Sequence, residues 1–447
     1  MSDETELTTS EENAGYPSRG YAWFVVVLLT IAYIFSYIDR QVLGLLLEPI
    51  KADLNLSDTQ MGLLGGFAFA IFYATMGFPL GWLADRKPRK FIVAIGIGLW
   101  SLATAVSGLA RSFGQLFIAR VAVGVGEASL GPSAMSLISD LFPPENRAKA
   151  IALYSTALGI GSGIAYIVVS RIIKYAETMD MSSLAFMGVD KPWHVVFLVV
   201  GVPGLVLSLI FLTVKEPKRQ ISKQTVGSAD GNVTLKDTFV FLRKHWVAFF
   251  GIMLMVSAMT AVAYSSFWLP ATFSRTWGWD AATFADYNGK VMIVLAPIST
   301  LFWGWLIDRL TKQGRRDSAF LISQIGLAVI VITSITFPLL PNVWAAFTVS
   351  QLTNVGFTMM TTGGITALLA ICPGEIRGQT VAIYYMFISM TGLLIGTSAV
   401  AFITDNIFAD ESMLRYSMAI LPLIYAGPIL LLSGVIKKAY RKQLNSV

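Results

Sequence analysis

Four ionisable residues sit where a strongly apolar chain can least tolerate them: Asp39 and Arg40 in Tyr37-Ile38-Asp39-Arg40-Gln41, and Arg120 and Glu127 between Phe117 and Leu130. A charge at the middle of a bilayer costs several kcal/mol, so each must face protein or water. At the helical rise, Asp39 lies about 27 Å from Tyr21 and Arg120 about 9 Å from Gly114, which places both in the outer half of their helices. They can pair across the first and fourth helices if those two helices touch. Glu127 lies about 10 Å further in than Arg120 and on the same helical face, near mid-depth. A buried carboxylate beside an arginine that can change partners suits proton coupling, because burial and the cation act on its protonation in opposite senses. The same arginine is also suited to an anionic substrate headgroup. Arg40 is the member of the four that can instead snorkel outward. The bland alternative is a static buried ion pair that only joins two helices, a role apolar packing fills at lower cost.

The elements that carry these residues follow from composition. Hydrophobic residues make up 55% of the 447 and charged residues 13%, and the mean hydropathy is +0.65. A soluble domain carries about a quarter charged residues, so the fold class expected is an all-α membrane protein. Apolar runs fall at about 20–48, 59–84, 90–110, 114–141, 147–173 and 193–214, then at about 246–271, 285–308, 317–338, 342–371, 377–404 and 414–436. Twelve transmembrane helices result, in an N-terminal half over 20–214 and a C-terminal half over 246–436. Residues 215–245 form a cytosolic linker ending in a short interfacial helix, with a disordered cytosolic tail at 1–19 and a second tail at 437–447. Lys and Arg gather on the side of both termini and the linker by roughly three to one, which puts both termini in the cytosol. The acidic first residues, Asp3 to Glu12, do not resemble a cleavable signal. Cys372, His194 and His245 have no ligand spacing, so no metal is expected. The basic balance is explained by topology and implies no nucleic-acid partner.

A repeat organises the spans. Gly81-Trp82-Leu83-Ala84-Asp85-Arg86 closes the second, and Gly304-Trp305-Leu306-Ile307-Asp308-Arg309 closes the eighth. The two halves are therefore pseudo-symmetric six-helix units. The stretch from Gly81 to Lys90 resembles the loop signature of the major facilitator superfamily. That resemblance implies a cytoplasmic gate at Gly81, Asp85, Arg86 and Arg89, echoed by Asp308 and Arg309. Asp85, near the negative end of a helix dipole, needs a compensating cation such as Arg86 or Arg89. The Arg120 to Ala128 segment, with its Gly124-Val125-Gly126-Glu127-Ala128 continuation, and the intramembrane Asp39 together resemble the Spinster family of lipid transporters. The resemblance implies a proton-coupled secondary transporter of lysophospholipids or sphingolipids, with Glu127 and Asp39 carrying the proton and Arg120 and Arg40 binding substrate or switching charge.

The C-terminal spans carry no acid at comparable depth. Tyr264, Asn354, Met360, Tyr384 and Met386 are instead the expected lining of an amphipathic wall. A cavity charged on one wall and amphipathic on the other suits an anionic amphiphile. The absence of a G-x-x-x-x-G-K-[ST] string points to a gradient as the energy source, with no cofactor. No nucleophile, base and oxyanion-donor set is visible, so catalysis is not expected. The alternatives are a proton-coupled carrier of other organic anions or drugs and a receptor that does not transport. Partners are the substrate, protons and membrane lipids. The chain is expected to work as a monomer in a bacterial inner membrane.

Overall fold

The computed structural model describes residues 16–84, 86–184, 186, 188–219 and 235–446, and among these the chain is helical with no strand. Eleven helices are long and apolar enough to cross a membrane: α1 (Arg19–Leu45), α2 (Asp58–Ala84), α3 (Arg89–Ser107), α4 (Phe113–Leu141), α5 (Lys149–Glu177), α6 (Pro192–Thr213), α7 (Trp246–Trp277), α8 (Ala281–Lys312), α9 (Ser318–Leu339), α11 (Arg377–Phe408) and α12 (Glu411–Leu444). Between α9 and α11 lies α10 (Val343–Ala370), whose 28 residues give about 42 Å of helix, enough to span. It carries Ser350, Gln351, Thr353, Asn354 and Thr358, and all five bond one another or polar groups on α8 and α9.

Helix ends are set locally. Asp280 caps α8, accepting from Thr283 N at 2.8 Å, and Asn342 caps α10, accepting from Trp344 N at 2.9 Å. Ser57 and Gln60 form a reciprocal capping box at the start of α2. Gly278, at φ +73°, closes α7 in the left-handed region that favours glycine.

Contacts divide the chain into unit 1, Met1–Arg40 with Phe72–Gly231, and unit 2, Gln41–Ile71 with Asn232–Val447. In unit 1, α3 is crossed by α4 and α6 at backbone distance. A Cβ built on Gly126 would lie 2.8 Å from Gly96 O and 2.8 Å from Trp100 N, and one on Gly201 would lie 2.6 Å from Ser101 O. Gly126 thus packs the main chain of α4 against α3 immediately beside Glu127. Gly126→Ala is expected to cost about 1–3 kcal/mol through overpacking, seen as a lower melting temperature in detergent.

In unit 2, α7 packs against α10, α11 and α12 around Phe249, Ile252, Met259, Phe320, Ile330 and Met360. Gly392 and Gly396 let α11 approach α7, since a Cβ on Gly396 would lie 2.4 Å from Ala261 O. Residues 437–444, expected as a tail, instead continue α12, and Arg441 pairs with Asp317 at 2.6 Å. The short helix Leu235–Lys244 stands where the interfacial helix was expected, and its Phe239 and Val240 are exposed. Gln41–Ile71 joins this unit through a charge cluster. Asp58, fully buried, accepts from Lys51 Nζ at 2.5 Å and from Arg275 Nη1 and Nη2 at 2.6 and 2.9 Å. Arg275 also donates to Glu48 at 2.7 Å, and Lys51 pairs with Glu411 at 2.7 Å. The Phe267 ring fills the space beside Gly44 and Gly65.

Candidate functional site

Unit 1 collects all four intramembrane charges of the sequence reading. On α1, Ser36 and Arg40 are one helical turn apart and reach the same atom on α4. Ser36 Oγ donates to Glu127 Oε2 at 2.7 Å, Arg40 Nε donates to it at 2.7 Å, and Arg40 Nη2 lies 2.7 Å from it. Three donors thus converge on one carboxylate oxygen, while Oε1 of Glu127 is buried and makes no hydrogen bond. The Glu127 side chain is 1% exposed and that of Arg40 17%. Asp39 and Arg120 are also buried, and Arg120 Nη1 donates to the main-chain O of Asp39 at 3.4 Å.

This arrangement alters one expectation. Arg120 does reach the first helix, and Arg40 makes an ion pair with Glu127. Arg40 therefore points into the protein and does not snorkel outward.

Aromatic rings that the sequence reading did not single out surround this pair. The Arg40 guanidinium lies over Tyr37 at 5.5 Å and over Tyr73 of α2 at 5.0 Å. Tyr33 meets Tyr37 at 5.2 Å and stacks on Tyr154 of α5 at 5.0 Å. Two π faces and a carboxylate hold the guanidinium in one orientation. The signal for α1 was present, since Tyr33, Tyr37 and Arg40 recur at helical spacing. Tyr73 and Tyr154 are brought in only by tertiary packing.

The site is an aromatic-walled cluster of two carboxylates and two guanidiniums within membrane-spanning helices. The family model of the Major Facilitator Superfamily matches residues 29–299, more than half of the chain and the whole of this cluster. The chain belongs to the Major Facilitator Superfamily. As a superfamily member it is a multi-pass membrane transporter. It is 25% identical over 95% of its length to an MFS-type efflux pump of Mycolicibacterium smegmatis, of which it covers 93%. It is 32% identical to Protein spinster of Drosophila melanogaster over 48% of its own length, a match that spans only 32% of the fly protein. Its fold is similar to the crystal structure of a bacterial homolog of the human lysosomal transporter Spinster, inward-facing and unoccupied. The TM-score there is 0.76 at 25% identity, over 96% of this chain and 98% of that one.

The superfamily loop is only partly in view, because Asp85 lies outside the described residues. Gly81 sits in the last turn of α2, with Pro132 at 3.7 Å from a built Cβ. Arg86 lies over Trp82 at 4.1 Å and Arg309 over Trp305 at 5.2 Å, so the repeated strings repeat in space as well. Asp308 is exposed. Arg89 is 1% exposed and binds Asp140, Glu216 Oε1 at 2.8 Å and Ser136 Oγ at 2.9 Å. These bonds tie the start of α3 to the end of α4 and to the chain leaving α6, all inside unit 1. Asp140 was missed, although the argument applied to Asp85 applies to it: an anion at the C-terminal end of a helix needs a cation.

The expected C-terminal lining divides. Met360 and Tyr384 are 0% and 2% exposed and pack in the apolar core of unit 2. Met386 is 57% exposed. Tyr264 packs beside Gly392 and Gly396. Asn354 donates to Gln351, which in turn donates to Asn288, and both Asn354 and Gln351 border a small cavity of about 30 Å³, close to the volume of one water.

Proposed function

We propose that this transporter is a proton-coupled secondary carrier working by alternating access, and that its substrate is an anionic amphiphile such as a lysophospholipid or sphingolipid. The observation that carries the reading is the asymmetric binding of Glu127, with three donors on Oε2 and a buried Oε1 free of hydrogen bonds. Oε1 can take a proton without displacing Arg40 from Oε2. The proton removes the charge that holds Arg40, and Arg40 then has attraction to spare for an anion.

Charge balance supports the same coupling. With Asp39 and Glu127 ionised, two negative charges meet two positive ones, so the buried cluster is neutral. An anion arriving alone leaves a net negative charge in a low-dielectric site, at a cost of several kcal/mol. An anion arriving with a proton leaves it neutral. The tyrosines and the Spinster resemblance favour an amphiphile. The efflux pump that matches nearly the whole chain favours a second reading, a carrier of other organic anions or drugs.

Uptake into proteoliposomes separates them. Labelled lysophospholipid flux that rises with an imposed inward proton gradient is the expected result. Lysophospholipid flux indifferent to the gradient removes the coupling, and absent lysophospholipid flux beside active organic-anion flux replaces the first reading by the second.

A further inference from the structure

A second basic site lies about 30 Å along α1 from Arg40, counted at 1.5 Å per residue. A cavity of about 360 Å³ opens where the start of α1 meets the turn between α4 and α5. Arg19 and Lys149 flank it, Asn146 completes the polar part, and no described lining residue is a carboxylate. Trp23 and Phe142, both in its lining, meet edge to face at 5.1 Å. Aromatic rings in company with cations are typical of the layer where headgroups meet acyl chains.

The pocket continues into an apolar track. Arg19, Trp23, Val27 and Ile31 follow one another at intervals of four, so they form a single stripe along α1. Val27 and Ile31 are 44% and 37% exposed, and the neighbouring Phe24 is 48% exposed. A soluble phosphate needs only the cations. A basic mouth leading into an exposed apolar stripe matches a molecule with an anionic head and a hydrocarbon chain. The start of α1 also lies on the side where Lys and Arg concentrate, and so at the headgroup level of that leaflet.

We propose that this pocket binds the phosphate headgroup of an anionic membrane phospholipid, with one acyl chain laid along Val27 and Ile31. Arg19 and Lys149 bind the phosphate oxygens, and the Asn146 amide faces the glycerol. The site is separate from the Glu127 cluster and does not depend on which substrate is carried.

The test is native mass spectrometry of the full chain in detergent. The probes are phosphatidylglycerol, the uncharged diacylglycerol of the same chains, and glycerol 3-phosphate as competitor. Phosphatidylglycerol is expected to stay bound and diacylglycerol to be lost. Arg19→Gln with Lys149→Gln is expected to lower bound phosphatidylglycerol about thirtyfold, two basic side chains near a headgroup layer together being worth about 2 kcal/mol. Melting curves of native and variant protein confirm that the fold is kept. The single exposed reversal Lys149→Glu serves if the double variant does not fold. Equal retention by the variants overturns the site. Displacement of phosphatidylglycerol by glycerol 3-phosphate at equal concentration overturns the lipid assignment and leaves a soluble phosphate compound as the ligand.

Discussion

Glu127→Gln is expected to abolish the response of uptake to an imposed pH gradient, with gradient-driven flux falling at least about tenfold, equivalent to about 1.4 kcal/mol. Glutamine keeps the size of the side chain, and its carbonyl oxygen can still accept from Ser36 and Arg40. It cannot gain or lose a proton. The cluster is then one unit more positive than with an ionised Glu127, so an anion can bind without a proton. Substrate binding is therefore expected to survive in Glu127→Gln while its dependence on pH disappears. A static ion pair gives a different result, since neutralising it changes stability and leaves the pH response of transport intact. Arg40→Gln is the complementary change: it removes the ion pair made with Glu127, 1% exposed, and is expected to lose anion binding together with about 3–5 kcal/mol of stability. Parallel flux and melting measurements on the two variants separate coupling from support.

Arg89→Ala is expected to lose about 3–5 kcal/mol of stability, read as a fall in the melting temperature of the detergent-solubilised protein. Arg89 is almost wholly buried and holds two acids, Asp140 and Glu216, while Glu216 also accepts from Lys90 N at 3.0 Å. Removing the guanidinium leaves two carboxylates near one another with no shared cation. Arg89→Met combined with Asp140→Asn and Glu216→Gln is expected to recover much of the loss, because the uncompensated charges are then gone. If the triple variant is no more stable than Arg89→Ala, the effect lies in lost packing and not in charge.

The spans were legible because each is an unbroken apolar run of bilayer length, and α10 was legible by length even though its polar residues dilute its hydropathy. The intramembrane charges were legible for the same reason, as exceptions within such runs. Their pairing was not. Rise per residue gives height along a helix, but Asp39 and Arg40 differ by about 100° in direction at nearly the same height. Height alone could not decide which of them faces α4. Arg89 was noticed as part of a loop signature, but its partners lie 51 and 127 residues away, and nothing in local spacing connects them. The packing of Met360 and Tyr384 was not legible either, because an amphipathic residue on a spanning helix reads alike whether it lines a cavity or fills the gap between helices.

The cluster around Asp58 bears on how Gln41–Ile71 can come away from α7. Asp58 holds Lys51 and Arg275 together, and each of these cations holds a further acid, Glu411 and Glu48. Releasing one bond strands a charge that another bond must then carry, so the intermediate arrangements are all poorer than either the closed cluster or full separation in water. The cluster is therefore built to open as a unit and not bond by bond.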